Sequence, residues 1–163
     1  MNLKRILLFL ALFLFMPLAS FSKNGFGVQG GFDIVPEPSA FFSLTWRTDK
    51  SPWGVAVNLH PFIKSVTINV DNWFVYKRLA SHLDGFVLWG ISGGGAKDCD
   101  YWELTTGSRF GGGLSCCVLE RHLEFYAQVV WNPHGGIKRD DGSYKPVIRL
   151  ASFPSAAGLR FWF

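Results

Sequence analysis

The last residues of the chain, 157–163, read Ala-Gly-Leu-Arg-Phe-Trp-Phe. Ala157, Leu159, Phe161 and Phe163 fall at every second position, with Gly158, Arg160 and Trp162 between them. Side chains of a β-strand point alternately to the two faces of a sheet. The period of two therefore predicts a strand with one apolar face and one face that carries an arginine. Which of these faces is the inner one has to be read from the rest of the chain.

The same alternation recurs upstream. Residues 25–34 set Phe26, Val28, Phe32 and Ile34, with Gly30, against Gly25, Gly27, Gln29, Gly31 and Asp33, before Pro36-Glu37-Pro38 breaks the ladder. Residues 40–48 set Ala40, Phe42, Leu44 and Trp46 against Ser43, Thr45 and Arg47, and Asp49-Lys50-Ser51-Pro52 reads as a tight turn. Residues 53–60 set Trp53, Val55, Val57 and Leu59 against Gly54, Ala56, Asn58 and His60. A fourth strand sets Val66, Ile68 and Val70 against Thr67, Asn69 and Asp71; its second half, 73–76, is apolar on both faces, and a bulge near Asp71-Asn72 would reconcile the two halves. Residues 85–92 carry Val87, Trp89 and Ile91 on one face and lead through Gly93-Gly94-Gly95 into a polar loop with Asp98 and Asp100. A sixth strand over 104–118 sets Phe110, Leu114 and Val118 against Arg109, Gly111, Gly113 and Ser115. A seventh over 123–131 sets Leu123, Phe125, Ala127, Val129 and Trp131 against Glu124, Tyr126 and Gln128. The longest loop, 134–145, then leads to the eighth and last strand.

The polar faces decide which side is inner. A soluble sheet turns a face rich in Lys and Glu to water. Here the polar faces hold Gly, Ser, Thr, Asn and Gln with few charges, residues small enough to fill a narrow lumen. With 18 Gly, 16 Phe and 7 Trp in 163 residues, and a mean hydropathy of +0.18, the chain is greasy for a soluble domain. Yet no stretch after Leu18 reaches the ~18 apolar residues of a spanning helix. Strands of only ~9–11 residues cross a bilayer when they close into a barrel that satisfies their backbone. We therefore expect an all-β, eight-stranded antiparallel up-and-down transmembrane barrel over residues 23–163. Its even strand number returns the C-terminus to the side of the N-terminus.

Residues 1–22 fit an export signal that is cleaved. Lys4 and Arg5 precede an apolar run from Ile6 to Leu18, and Ser20 and Ser22 suit the positions before a cut. Pro17 interrupts the run, which is too short for a membrane anchor. The formal charge of +4 falls when Lys4 and Arg5 leave, and no stripe of Lys and Arg suggests nucleic acid as a partner. Cys99, Cys116 and Cys117 are odd in number and lack metal-ligand spacing, so no metal or cofactor is implied. A bridge from Cys99 to either of the others is an open alternative. Trp46, Trp53, Trp73, Trp102 and Trp131 fall near expected strand ends, where an aromatic belt settles at the headgroup level. Trp89 lies mid-strand and stands outside that pattern.

The closing segment resembles the C-terminal signature of bacterial outer-membrane barrels, in which alternating apolar positions lead to a terminal aromatic read by the insertion machinery. Ala157, Leu159, Phe161 and Phe163 occupy those positions. Over residues 25–163 the chain is similar to the small eight-stranded barrels of the OmpW, OmpX and OmpA-transmembrane type. The phrasing of Phe153-Pro154 and of 158–163 also resembles small outer-membrane proteins of spirochaetes such as treponemes. This likeness implies a place in the bacterial outer membrane, with the lipid bilayer and the insertion machinery as partners. The OmpW type further implies a small hydrophobic solute. Unlike OmpA, the chain has no peptidoglycan-binding domain.

The alternation turns Asp33, Arg47, Asn58, His60, Arg109, Glu124, Gln128 and Arg160 into the lumen. Eight strands enclose an interior just filled by side chains, so these residues read as a structural plug; a narrow path for a solute is the alternative. The three arginines require acidic partners there. An enzyme acting on outer-membrane lipid would need a nucleophile beside a histidine oriented by a carboxylate. His122 with Glu124 is the tempting pair, while His60 and Ser92 lack an evident third member. A soluble lipocalin-like carrier is a further alternative, and residues 135–142 could serve adhesion. Deleting Phe163 should leave export intact and reduce the assembled barrel in membrane fractions, and normal assembly would remove the terminal-signal reading.

Overall fold

The computed structural model describes residues 23–33, 38–97, 101–140 and 142–163. The expected signal at 1–22, Ile34, the break at Pro36-Glu37, Asp98, Cys99, Asp100 and Asp141 lie outside the described residues. Ten strands form among those described: β1 (Asn24–Asp33), β2 (Ser39–Thr48), β3 (Trp53–His60), β4 (Ser65–Arg78), β5 (Leu83–Lys97), β6 (Tyr101–Val118), β7 (Leu123–Trp131), β8 (His134–Asp140), β9 (Ser143–Arg149) and β10 (Ser155–Trp162). Strands β1 to β7 pair in sequence, β7 pairs with β10, and β10 pairs back with β1, all antiparallel. Eight strands thus close an antiparallel barrel in which no edge is left open.

The remaining two strands correct the loop expected at 134–145. β8 pairs with the first half of β6, from Gly107↔His134 to Tyr101↔Asp140, and β9 pairs with β8. Because β5 and β6 rise past the rim as a long hairpin, the first half of β6 would otherwise present an unpaired edge, and β8 covers it. β8 keeps the register that β7 holds on the second half of β6, so the two are one strand interrupted at Asn132 and Pro133. Proline has no N–H to give to a ladder. The run Gly93-Gly94-Gly95, read as the start of a loop, is likewise strand. It pairs with Val66, Thr67 and Ile68 on one side and Leu104, Thr105 and Thr106 on the other.

The bulge of the fourth strand lies at Phe74 and not near Asp71-Asn72. Trp73 pairs with Leu88 and Val75 with Val87, which leaves Phe74 unpaired. The extra residue lets Phe74 and Val75 both face outward, at 56% and 43% exposure, while Trp73 and Tyr76 both turn inward to meet Phe86. A segment apolar on both faces is thereby reconciled with a barrel.

Hydrogen-bond rows run obliquely around the wall. Trp53, Asn72, Trp89, Phe110 and Trp131 are register partners from β3 through β7. The row begins at the first residue of β3 and ends at the last of β7, as strand tilt and stagger in a closed barrel require. Trp89 therefore belongs with Trp53, whose ring it meets edge to face at 5.5 Å.

Burial is inverted relative to a soluble protein. The outward Phe42, Leu44, Ile68, Ile91, Phe125 and Val129 are exposed, whereas Ser43, Asn69, Ser115, Glu124, Arg109 and Arg160 are buried inside. An apolar cluster of Trp73, Phe86, Leu88, Tyr126 and Val130 shares that interior. Glycine makes room for it: a Cβ on Gly113 would stand 2.6 Å from the tip of the Phe86 ring and would also strike the Ala127 carbonyl. By contrast, nothing lies within 4 Å of the same position on Gly30. Gly113→Ala should lower the unfolding free energy by about 1–3 kcal/mol through overpacking, with Gly30→Ala close to neutral, as measured by urea unfolding monitored by tryptophan fluorescence.

Candidate functional site: the barrel interior

Near the end of the barrel that holds both termini, the interior is organised by Glu124 on β7. Its directly opposed neighbour on β10 is Arg160, whose Nη1 donates to Oε2 at 2.8 Å. Trp162 Nε1 donates to the same oxygen at 2.9 Å and Ser115 Oγ donates to Oε1 at 2.6 Å. Tyr76 Oη donates in turn to Ser115 Oγ at 3.0 Å. Four strands converge on one carboxylate, and the Arg160 and Glu124 side chains are only 4% and 1% exposed. Charge-assisted bonds of this kind offset the desolvation of two buried ions only when the remaining acceptor sites are filled, as they are here.

One layer further in, Arg109 on β6 donates to Asp71 on β4 twice, Nε to Oδ1 at 2.7 Å and Nη2 to Oδ2 at 3.1 Å. Arg47 has no carboxylate within ion-pair distance among the described residues. Its guanidinium lies over the faces of Trp73 at 4.4 Å and Tyr76 at 5.6 Å. Phe86 stacks on Trp73 with ring centres 3.7 Å apart and planes 8° from parallel. Two groups that close cannot share one ring face, so the indole is held between Phe86 and the cation. Cation–π attraction is stronger away from water, and here it takes the place of the acidic partner expected for Arg47. Arg160 also lies over Tyr126 at 4.7 Å. A cavity of ≈20 Å³ remains beside Gln29, Thr45, Arg47, Asp71, Trp73 and Arg160, room for about one water.

Towards the opposite end the interior is neutral and polar. Tyr126 Oη donates to Gln29 Oε1 at 3.0 Å and sits 3.3 Å from Thr45 Oγ1; Gln29 Nε2 donates to Ser43 Oγ at 3.3 Å. Asn58 and Gln128 are buried there. His60 packs its ring against Phe41, with centres 5.3 Å apart. Asp33, at the end of β1, accepts from Ser152 Oγ at 2.7 Å and from the Phe153 amide at 3.1 Å. It thus ties β1 to the segment joining β9 and β10.

Of the residues expected inside, the structure brings Arg47, Glu124 and Arg160 together around the Trp73 ring and pairs Arg109 with Asp71. Asn58, Gln128 and His60 are placed apart from both clusters, and Asp33 stands at the rim. Trp73 departs from its expected place in the outer belt: the bulge at Phe74 turns it inward, and it is 6% exposed. Trp46, Trp53, Trp102 and Trp131 remain on the outward face, Trp53 and Trp131 at opposite rims and Trp102 on β6 beyond the barrel. Ala157, Leu159 and Phe161 face outward on β10. Phe163 exchanges backbone hydrogen bonds with Asn24, at 2.8 and 3.0 Å, and stacks on Phe26 at 5.6 Å.

Tyr76, Phe86, Ser115 and Tyr126 were not singled out by the sequence. Ser115 and Tyr126 stood on polar faces already read as inward, and that was the available signal; Tyr76 and Phe86 depend on the bulge. His122 and Glu124 are turned to different partners, since His122 Nδ1 lies 3.1 Å from the Trp162 carbonyl oxygen in an exposed turn. Ser92 donates to Asn132 Oδ1 at 2.9 Å. Cys116 and Cys117 are free thiols. No group of three or more His, Cys, Asp or Glu among the described residues is placed to hold a metal. On the outer wall, a shallow apolar groove of ≈610 Å³ runs past Gly30, Phe32, Gly112, Leu114, Ala127 and Ala157.

A buried carboxylate that loses its charge loses its purpose here. Glu124→Gln should cost roughly 3–5 kcal/mol by leaving Arg160 unpaired. The double variant Glu124→Leu with Arg160→Met should recover most of that loss, as read by the urea midpoint.

No family profile matches the chain, and no curated protein does. Among solved structures it is similar to the N-terminal β-barrel domain of Pseudomonas aeruginosa OprF, with a TM-score of 0.55 and 11% identity over 86% of this chain and 97% of that one. A major outer membrane protein from Thermus thermophilus matches with a TM-score of 0.47 and 13% identity, over 88% of this chain and all of the other. The OprF likeness is one of fold.

Proposed function

We propose that the chain is an integral outer-membrane barrel whose interior is closed by its own side chains, and that it serves the envelope as a structural element without catalysis. The observation that carries this reading is the inversion of the fold. Two buried ion pairs, Arg160 with Glu124 and Arg109 with Asp71, occupy the inside, while the wall turns Phe42, Leu44, Ile68, Ile91, Phe125 and Val129 outward. In water such a surface would aggregate; in lipid it is the ordinary exterior of a barrel. The export signal expected at 1–22 and the alternation Ala157, Leu159, Phe161, Phe163 support delivery to the bacterial outer membrane through its insertion machinery.

The Trp73 stack, with room left for about one water, favours a closed lumen over a pore. Passage of a small hydrophobic solute, the role implied by the OmpW-type resemblance, is a second reading. The apolar groove on the outer wall favours it and places the path along the wall instead of through the lumen. A lipocalin-like carrier would need the opposite disposition, with apolar side chains inward.

Two measurements test the proposal. The chain should require detergent for extraction and migrate differently when unheated. In planar bilayers it should give little or no conductance. Release from cells without detergent would refute the membrane placement, and large stable channels would refute the closed lumen.

A further inference from the structure

The hairpin that rises beside β6 carries a surface of its own. Register sets Trp102, Arg139 and Tyr144 in one row across β6, β8 and β9. The Trp102 and Tyr144 rings meet edge to face at 6.2 Å, and the Arg139 guanidinium lies 5.7 Å from the Tyr144 ring centre. Arg139 is exposed and has no ion pair among the described residues. The next row on this face towards the barrel is Leu104, Ile137 and Pro146. Leu104, Ile137, Ile148 and Leu150 are 61%, 50%, 75% and 68% exposed.

The other face of the hairpin is charged. Arg149 donates to both oxygens of Glu103, at 2.7 and 3.2 Å, and Lys138 Nζ lies 4.3 Å from the Tyr101 ring centre. A hairpin surrounded by water has no reason to turn its ion pair inward and its aliphatic side chains out. The outer face is also continuous with the wall of the barrel. Trp131, whose ring lies 6.1 Å from that of Phe110, donates through Nε1 to the Leu150 carbonyl at 2.7 Å.

Height places this face in the membrane. A strand that rises ~3.3 Å per residue and is tilted by ~40° climbs about 2.5 Å per residue. The outward band of such a barrel is ~25 Å tall, which takes about ten residues. Counted along β6 from Leu114, the band ends at Leu104, and Trp102 stands one outward position above it.

We propose that the outer face of the β8–β9 hairpin lies in the outer leaflet, and that Arg139, framed by Trp102 and Tyr144, binds the phosphate of a lipid headgroup. The inference rests on the membrane reading above. A guanidinium matches phosphate oxygens with two parallel N–H donors, and amphipathic rings settle at the headgroup level.

The test uses the full mature chain in lipid vesicles. The contribution of Trp102 to the emission is read as the difference from Trp102→Phe, with Trp102→Tyr as a second variant, each checked for heat-modifiable migration. Phospholipids brominated near the headgroup end of the acyl chain should quench that contribution, and aqueous iodide should not. In Arg139→Gln, or in vesicles of a phosphate-free glycosyl diacylglycerol, iodide quenching of Trp102 should rise at least twofold; Arg139→Lys should restore protection in part. Strong iodide quenching in the native chain, with Trp53, Trp89 and Trp131 still reached by brominated lipid, overturns the lipid contact of the hairpin and leaves the membrane barrel standing. Equal protection with and without phosphate or Arg139 overturns the phosphate site. If brominated lipid quenches no tryptophan, the membrane reading itself fails.

Discussion

The hydrogen-bonded seam between β1 and β10 makes an inside exist at all. It is zipped from Phe32↔Ser155 to Gly25↔Trp162, and beyond it Asn24 and Phe163 bond to each other through their backbones. An open sheet would leave two rows of unpaired N–H and C=O groups, each costly away from water. Once the seam closes, one face of every strand is enclosed and the other is not. The distribution of charge, ring and glycine then follows from which residues occupy odd or even positions.

Closure also concentrates polar groups where they are expensive, and the interior deals with them in two ways. Arg160 and Arg109 are paired with carboxylates across the lumen. Arg47 is held on aromatic faces, and its Nε finds no partner among the described residues. A cation stacked between rings fills space more completely than an ion pair with its water, which is how a lumen of eight strands becomes a packed core. The Trp73 and Phe86 rings, the bulge at Phe74 and the glycines facing them are one arrangement.

Much of this was legible in the sequence because the period of two is rigid. Val57, Leu44 and Ile68 could not face outward without Asn58, Ser43 and Asn69 facing inward. The pairing of Arg160 with Glu124 needed register, which the sequence does not carry, but the face of each residue was already given. Trp73 was misplaced because one unpaired residue shifts the parity of everything after it, and a bulge at Phe74 leaves no stronger mark than one at Asp71. The β8–β9 hairpin was hidden for a different reason. Its glycines and charges resemble those of a loop, and it becomes strand only because the long β6 offers an edge to cover.

Parity has a last consequence at residues 150–154. β9 turns its even-numbered residues outward, as at Tyr144 and Ile148, whereas β10 turns out Ala157, Leu159 and Phe161. The short link between them absorbs this half-step, held by Ser152 on Asp33. Over evolutionary time such a link can change its letters freely but not its length by one. A single inserted or deleted residue there would be read downstream as a barrel strand turned inside out, with Arg160 in the oil and Phe161 in the core.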